Sequence, residues 1–126
     1  MTTPTLPAPL PGTLDHERLD VYAVAVELDD AVVRIARRAA RGHGWLYDQA
    51  QRASGSTVLN IAESVGRQGA DRARCFRIAR GSVLELDSAL TLLLHRGACT
   101  PEIRAHARTL TVRVAAMLTR LVRLAS

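Results

Sequence analysis

The 126-residue chain reads as an all-α protein, an antiparallel up-down-up-down four-helix bundle, on three observations. Apolar residues recur at three- and four-residue spacing through four segments of roughly 22–27 residues, the period of a helix that buries one face. The links between these segments are short and hold Gly or Pro, which makes consecutive helices antiparallel neighbours. No segment alternates apolar and polar residues as a half-buried strand does. The length suits one domain, divided into a proline-rich flexible arm over 1–14 and a bundle over 15–126.

The arm holds Pro4, Pro7, Pro9, Pro11 and Gly12, a composition that opposes regular structure and favours an extended, polyproline-like course. It reads either as a loose terminus or as a docking segment over 1–13 that offers Leu6 and Leu10 to a protein partner. From Asp15 to Arg41 no Gly or Pro interrupts the pattern. Val21, Ala25, Leu28, Val32, Ile35 and Ala39 form one stripe there, and Leu19, Tyr22, Val26, Val33 and Ala36 form a second beside it. An apolar face that wide exceeds the need of one bundle core and points to contact with another subunit.

A second helix is expected over Trp45–Val65, with Leu46, Ala50, Ala53, Thr57, Ile61 and Ser64 facing inward. Gly55 lies in its interior, where glycine costs about 1 kcal/mol relative to alanine, so a bend or a close helix crossing is expected there. The third, over Asp71–Arg96, carries Phe76, Ala79, Val83, Leu86, Leu90 and Leu93 at strict helical spacing. Thr100 before Pro101 marks the start of a fourth, with an N-cap hydroxyl and the preferred first-turn proline. Its expected stripe is Ile103, Ala107, Leu110, Val114, Met117, Leu121 and Leu124, flanked by Val112, Leu118 and Val122.

Hydrophobic residues make up 48% of the chain and aromatics only 3%, so the interior must be aliphatic. All 17 basic residues are arginine, either for planar contacts with phosphate or carboxylate or from a GC-rich coding bias. The net charge of +5 is uneven: residues 1–33 set Arg18 against six carboxylates, whereas residues 34–80 hold ten arginines against three. An acidic first helix can neutralise a basic middle within the fold or between subunits, or leave an arginine surface free for a polyanion. No apolar run is long enough to span a membrane and no secretory signal opens the chain, so a cytoplasmic protein without membrane contact is expected. Cys75 and Cys99 lie on the order of 36 Å apart along a helix, too far to bridge.

The most informative run is Ser54–Arg67, which sets Asn60 and Glu63 one turn apart in an otherwise apolar helix. Such groups can belong to an active site, but no base, pocket or substrate anchor accompanies them, and a structural polar pair that fixes helix register is the expectation. His16, His43, His95 and His106 lack ligand spacing. No catalytic, metal or cofactor residue is therefore assigned, and no enzyme is expected. Arg67, Arg72, Arg74, Arg77 and Arg80 form the candidate nucleic-acid-binding group, acting through phosphates with steep salt dependence. The scarcity of aromatics argues against a dedicated single-strand stacking platform.

Asn60-Ile-Ala-Glu63 followed by Gly66-Arg67, and then Phe76-Arg-Ile-Ala-Arg-Gly-Ser-Val-Leu-Glu-Leu86, resembles a family of bacterial four-helix-bundle proteins encoded in intervening sequences of large-subunit ribosomal RNA genes. Leu19-Asp-Val-Tyr22, Asp48-Gln49 and Arg52-Ala53 are similar to its entries into the first two helices. The likeness covers about residues 17–96. Thr57-Val58 stands where that family commonly has Ile-Pro, and Ser64 where a glycine is usual, changes expected to alter local helix geometry and not the fold. The resemblance implies a homo-oligomer, pentameric, without known enzymatic activity. A related accessory protein of diversity-generating retroelements works with a reverse transcriptase and nucleic acid, which implies RNA or DNA as a partner here. The expected function is a non-enzymatic homo-oligomeric adaptor that associates with nucleic acid. The alternative is a protein-interaction or structural scaffold with no nucleic-acid role, docking through its N-terminal arm.

Overall fold

Four helices, α1 (Asp20–Arg37), α2 (Gly44–Ser64), α3 (Gly69–His95) and α4 (Pro101–Ala125), pack as a square in a computed structural model that describes residues 11–38 and 41–126. Each helix touches its two neighbours and α1 closes the square against α4, whereas the diagonal pairs do not meet among the described residues. Antiparallel order is visible in the contacts: Gln49 reaches Glu85 and Ser56 reaches Ser82 across α2 and α3. The chain is thus an all-α up-down-up-down bundle, as its periodicity predicts. Residues 1–10 of the expected arm, and Ala39 of the expected first stripe, lie outside the described residues.

The core follows the expected stripes closely in three helices. Val21, Ala25, Leu28, Val32 and Ile35 of α1 are buried, as are Leu46, Ala50, Ala53, Thr57, Ile61 and Ser64 of α2. All six stripe residues of α3, Phe76 to Leu93, are at most 2% exposed. In α4 the face is rotated from the expectation: Ala107, Leu110 and Val114 are buried, but so are Arg104, Thr111 and Leu118, while Leu124 is 70% exposed. Two polar residues occupy core positions there, so counting apolar residues alone misplaces the stripe.

Two further expectations are corrected. The first helix does not run unbroken from Asp15 to Arg41. A separate 3-10 turn covers Asp15–Arg18, Leu19 is extended (φ −82°, ψ 123°), and α1 begins after it. The turn closes on itself, with Glu17 N–H donating to the Leu14 carbonyl at 3.0 Å and Leu14 N–H donating to Glu17 Oε1 at 2.9 Å. At the other end α1 stops at Arg37, with Arg38 as its C-cap, short of the expected Arg41. Gly55 does not interrupt α2 and no helix crosses closely there: a Cβ built on it meets nothing within 4 Å.

The α3–α4 turn shows why local sequence sets the architecture. Gly97 takes φ +70°, Ala98 N–H donates to the Leu93 carbonyl at 2.8 Å and Gly97 N–H to the Leu94 carbonyl at 3.0 Å. This pair of bonds ends α3 in a Schellman turn. Thr100 Oγ1 then accepts from Ile103 N–H at 3.3 Å and starts α4.

Because Gly55 has open space and an ordinary helical backbone, Gly55→Ala is expected to raise stability by about 0.5–1 kcal/mol through lower unfolded-state entropy. Urea denaturation followed by circular dichroism measures it, and a loss of stability would mean that an unseen neighbour lies against Gly55.

Candidate nucleic-acid interface

A helix that buries one stripe must turn the residues half a turn away to solvent. On α3 the stripe Phe76, Ala79, Val83 points inward, so Arg74 and Arg77 project outward and are exposed. Neither takes part in an ion pair among the described residues. The other three arginines of the expected group are committed within the fold to different degrees. Arg67 pairs with exposed Glu63 at 2.8 Å, four residues earlier. Arg72 is half-buried and its Nε donates at 3.1 Å to the Ser64 carbonyl at the C-terminal end of α2, which also accepts from Arg67 N–H. Arg80 lies in the α3–α4 seam, its Nε donating to Thr119 Oγ1 at 2.8 Å. The five therefore do not form one free surface: Arg74 and Arg77 are its uncommitted members.

The acidic first helix does not neutralise these groups within the protomer, because α1 packs on α2 and α4 and not on α3. Two of its carboxylates are engaged by α1 and α2 themselves. Asp30 pairs with Arg34, and Asp29 accepts from Ser54 at 2.7 Å.

Asn60 and Glu63 are not joined to each other. Asn60 Nδ2 donates to the Ser56 carbonyl at 2.9 Å and to Ser56 Oγ at 3.2 Å, and Glu63 serves Arg67. Contacts that do cross to another element come from neighbours such as Ser54, Ser56, Gln49, Tyr47 and Arg80. Each is a small or seam-placed polar residue whose role the sequence marks only by its position beside a stripe.

The charged group that sequence reading passed over joins α3 to α4. Arg104, 7% exposed, donates from Nη2 to Asp87 Oδ1 at 2.5 Å and to Thr91 Oγ1 at 3.1 Å, and Arg108 Nη1 reaches Asp87 Oδ2 at 2.8 Å. Nη1 of Arg104 is buried without a hydrogen-bond partner. Burial by itself would push the Asp87 carboxyl up, but hydrogen bonds and positive charge from the two arginines outweigh it and hold the carboxyl below its usual value. The signal was available: Arg104, Ala107, Thr111, Val114 and Leu118 recur at core spacing, and an arginine in such a register needs a buried acid.

No group of three or more His, Cys, Asp or Glu could hold a metal among the described residues. No helix among the described residues is long and apolar enough to cross a membrane. Cys75 and Cys99 are unpaired; Cys75 is buried, and burial pushes the Cys99 thiol up, against a nucleophilic role. A family model described as 23S rRNA-intervening sequence protein matches residues 17–120. No curated protein matches the chain.

Two outcomes follow from the seam. Asp87→Ala is expected to cost about 3 kcal/mol, since it leaves Arg104 buried and unpaired, measurable by chemical denaturation. The folded-state carboxyl lies below its unfolded value, so its contribution is complete above about pH 4 and is lost as pH falls through the folded value. Asp87→Asn should therefore flatten the acid limb of the stability profile, and an unchanged limb would remove Asp87 from it.

Proposed function

The chain belongs to the 23S rRNA-intervening sequence protein family, and from that premise we propose that it is a non-enzymatic homo-oligomeric bundle, pentameric in its working form, that acts as an adaptor on RNA or DNA. One observation carries this reading. Arg74 and Arg77 stand exposed on the outer face of α3 with no carboxylate paired to them, and the acidic helix that might have answered them packs elsewhere. Unpaired guanidinium groups on a rigid helix suit phosphate oxygens, which they can meet in a bidentate manner. A contact of that kind reads backbone and not base sequence. Two arginines per subunit are a weak patch, but repetition around an oligomer raises avidity without new contacts.

Self-association draws support from Leu59, Ile78 and Leu84, which are 69%, 39% and 48% exposed on α2 and α3. The same residues favour a second reading, a scaffold that binds protein through this face or through residues 1–13. Apolar surface interleaved with arginine is common to both kinds of interface.

Light-scattering mass combined with the 260/280 nm absorbance ratio separates the two readings. An adaptor should elute as an oligomer with co-purifying nucleic acid at low salt, and Arg74→Ala/Arg77→Ala should lose that nucleic acid while keeping its mass and helicity. A clean protein spectrum at low salt, with no retention of added oligonucleotide, would favour the scaffold.

A further inference from the structure

We propose that the end of the bundle where α2 begins and α3 ends holds a second contact, selective for single-stranded nucleic acid, in which Trp45 stacks on a base and Arg96 and Arg41 hold the adjoining phosphates. The inference rests on the nucleic-acid reading above and assigns it a distinct site. Of the four aromatic side chains that can stack in this chain, Tyr47 and Phe76 are buried and Tyr22 is half-buried against His16; Trp45 alone is largely exposed, at 58%. The Arg96 guanidinium lies over its ring, 5.3 Å from the centroid. Trp45 as a residue is more than half exposed, so with Arg96 over one face of the ring the proposed base stacks on the other.

The platform is held rigidly. Leu46 and Tyr47, the residues after Trp45, are 1% and 3% exposed. The Tyr47 hydroxyl donates to the Ala98 carbonyl at 2.5 Å, which ties the first turn of α2 to the Schellman turn that follows Arg96. Arg96 is itself the C-cap of α3, its N–H bonded to the Leu92 carbonyl at 3.0 Å. Ring and guanidinium are thus positioned by buried neighbours on both sides.

The surroundings select the partner. Arg41 is exposed and four residues before Trp45, so chain reach alone keeps it within about 14 Å. Exposed Arg37 and His95 lie at the same end, against the exposed carboxylates Asp48 and Glu102. A positive surface with one exposed indole fits a partner that offers both anionic groups and free planar faces. Single-stranded RNA or DNA offers both, because its bases are unpaired and can stack on a side chain. A duplex offers the phosphates but hides the faces.

Trp45 is the only tryptophan, so the intrinsic fluorescence of the full chain reports on this site directly. Titration with oligothymidylate, oligouridylate and a duplex of equal length is expected to give saturable quenching by the single strands, with RNA and DNA distinguished by their midpoints, and little by the duplex. Anisotropy of a labelled single strand should show Trp45→Ala and Arg96→Ala weakened roughly tenfold, with Trp45→Phe recovering part of the loss because its ring still stacks. Circular dichroism checks that each variant is folded. Binding by anisotropy without quenching, and with Trp45→Ala equal to wild type, would overturn this site while leaving Arg74 and Arg77 as the contact. Equal quenching by duplex would overturn the single-strand selectivity, and a fluorescence change on diluting protein alone, without response to oligonucleotide, would place Trp45 in a subunit interface instead. Failure of every oligonucleotide to bind would overturn both readings together.

Discussion

Burial of one stripe along α3, from Phe76 through Leu93, governs the rest of the molecule. This helix, 27 residues long, packs against both α2 and α4, and its stripe joins one continuous core cluster with residues from every other helix. Aliphatic burial of this kind contributes about 25 cal/mol per Å² removed from water, so rotating α3 about its axis would forfeit several residues of core at once. With the inward face fixed, helix geometry leaves Arg74, Arg77 and Leu84 no place but the surface. The proposed interface is a consequence of the core.

Polar contacts set how the helices slide past one another. Ser54 with Asp29 holds α2 to α1, Ser56 with Ser82 holds α2 to α3, and Arg80 with Thr119 holds α3 to α4. Each contributes on the order of 1 kcal/mol, little beside the core but lost on any shift of register. The Asp87 group differs in kind. A buried arginine between two helices is tolerated only with its acid in place, so it disfavours every packing of α4 that separates them.

Much of this was legible in the sequence because helical periodicity is a local signal. The central stripes of α1, α2 and α3 were readable, and so was the Thr100-Pro101 start, whereas flanking core residues such as Val24, Tyr47 and Ala89 were not. The α4 face was not, because Arg104 looks like a surface residue until its partners Asp87 and Thr91 on α3 are known, and Thr111 looks like one although its hydroxyl is satisfied by the Ala107 carbonyl of its own helix. Asn60 and Glu63 drew notice as polar groups in an apolar run, yet their bonds stay within their own segment. The division of the arginines was hidden for the same reason. Arg72 and Arg80 differ from Arg74 and Arg77 only by where another helix passes, and that is a property of the fold. Trp45 was read as one more helical residue, since its exposure depends on how α2 meets the end of α3.

The electrostatic pattern follows from the same packing. Asp30 and Asp29 of α1 are turned toward Arg34 and Ser54, and Asp87 in the α3–α4 seam is taken by Arg104 and Arg108. The outer face of α3 keeps its positive charge, as counterions or a polyanion must then neutralise it. The salt dependence of oligonucleotide affinity tests this most directly, because each neutralised phosphate adds about −0.7 to the slope of log affinity against log salt for a single strand. A steep negative slope that becomes shallower by about 1.4 in Arg74→Ala/Arg77→Ala is the result expected. A slope near zero, or one that the double substitution leaves unchanged, would contradict a phosphate role for these arginines.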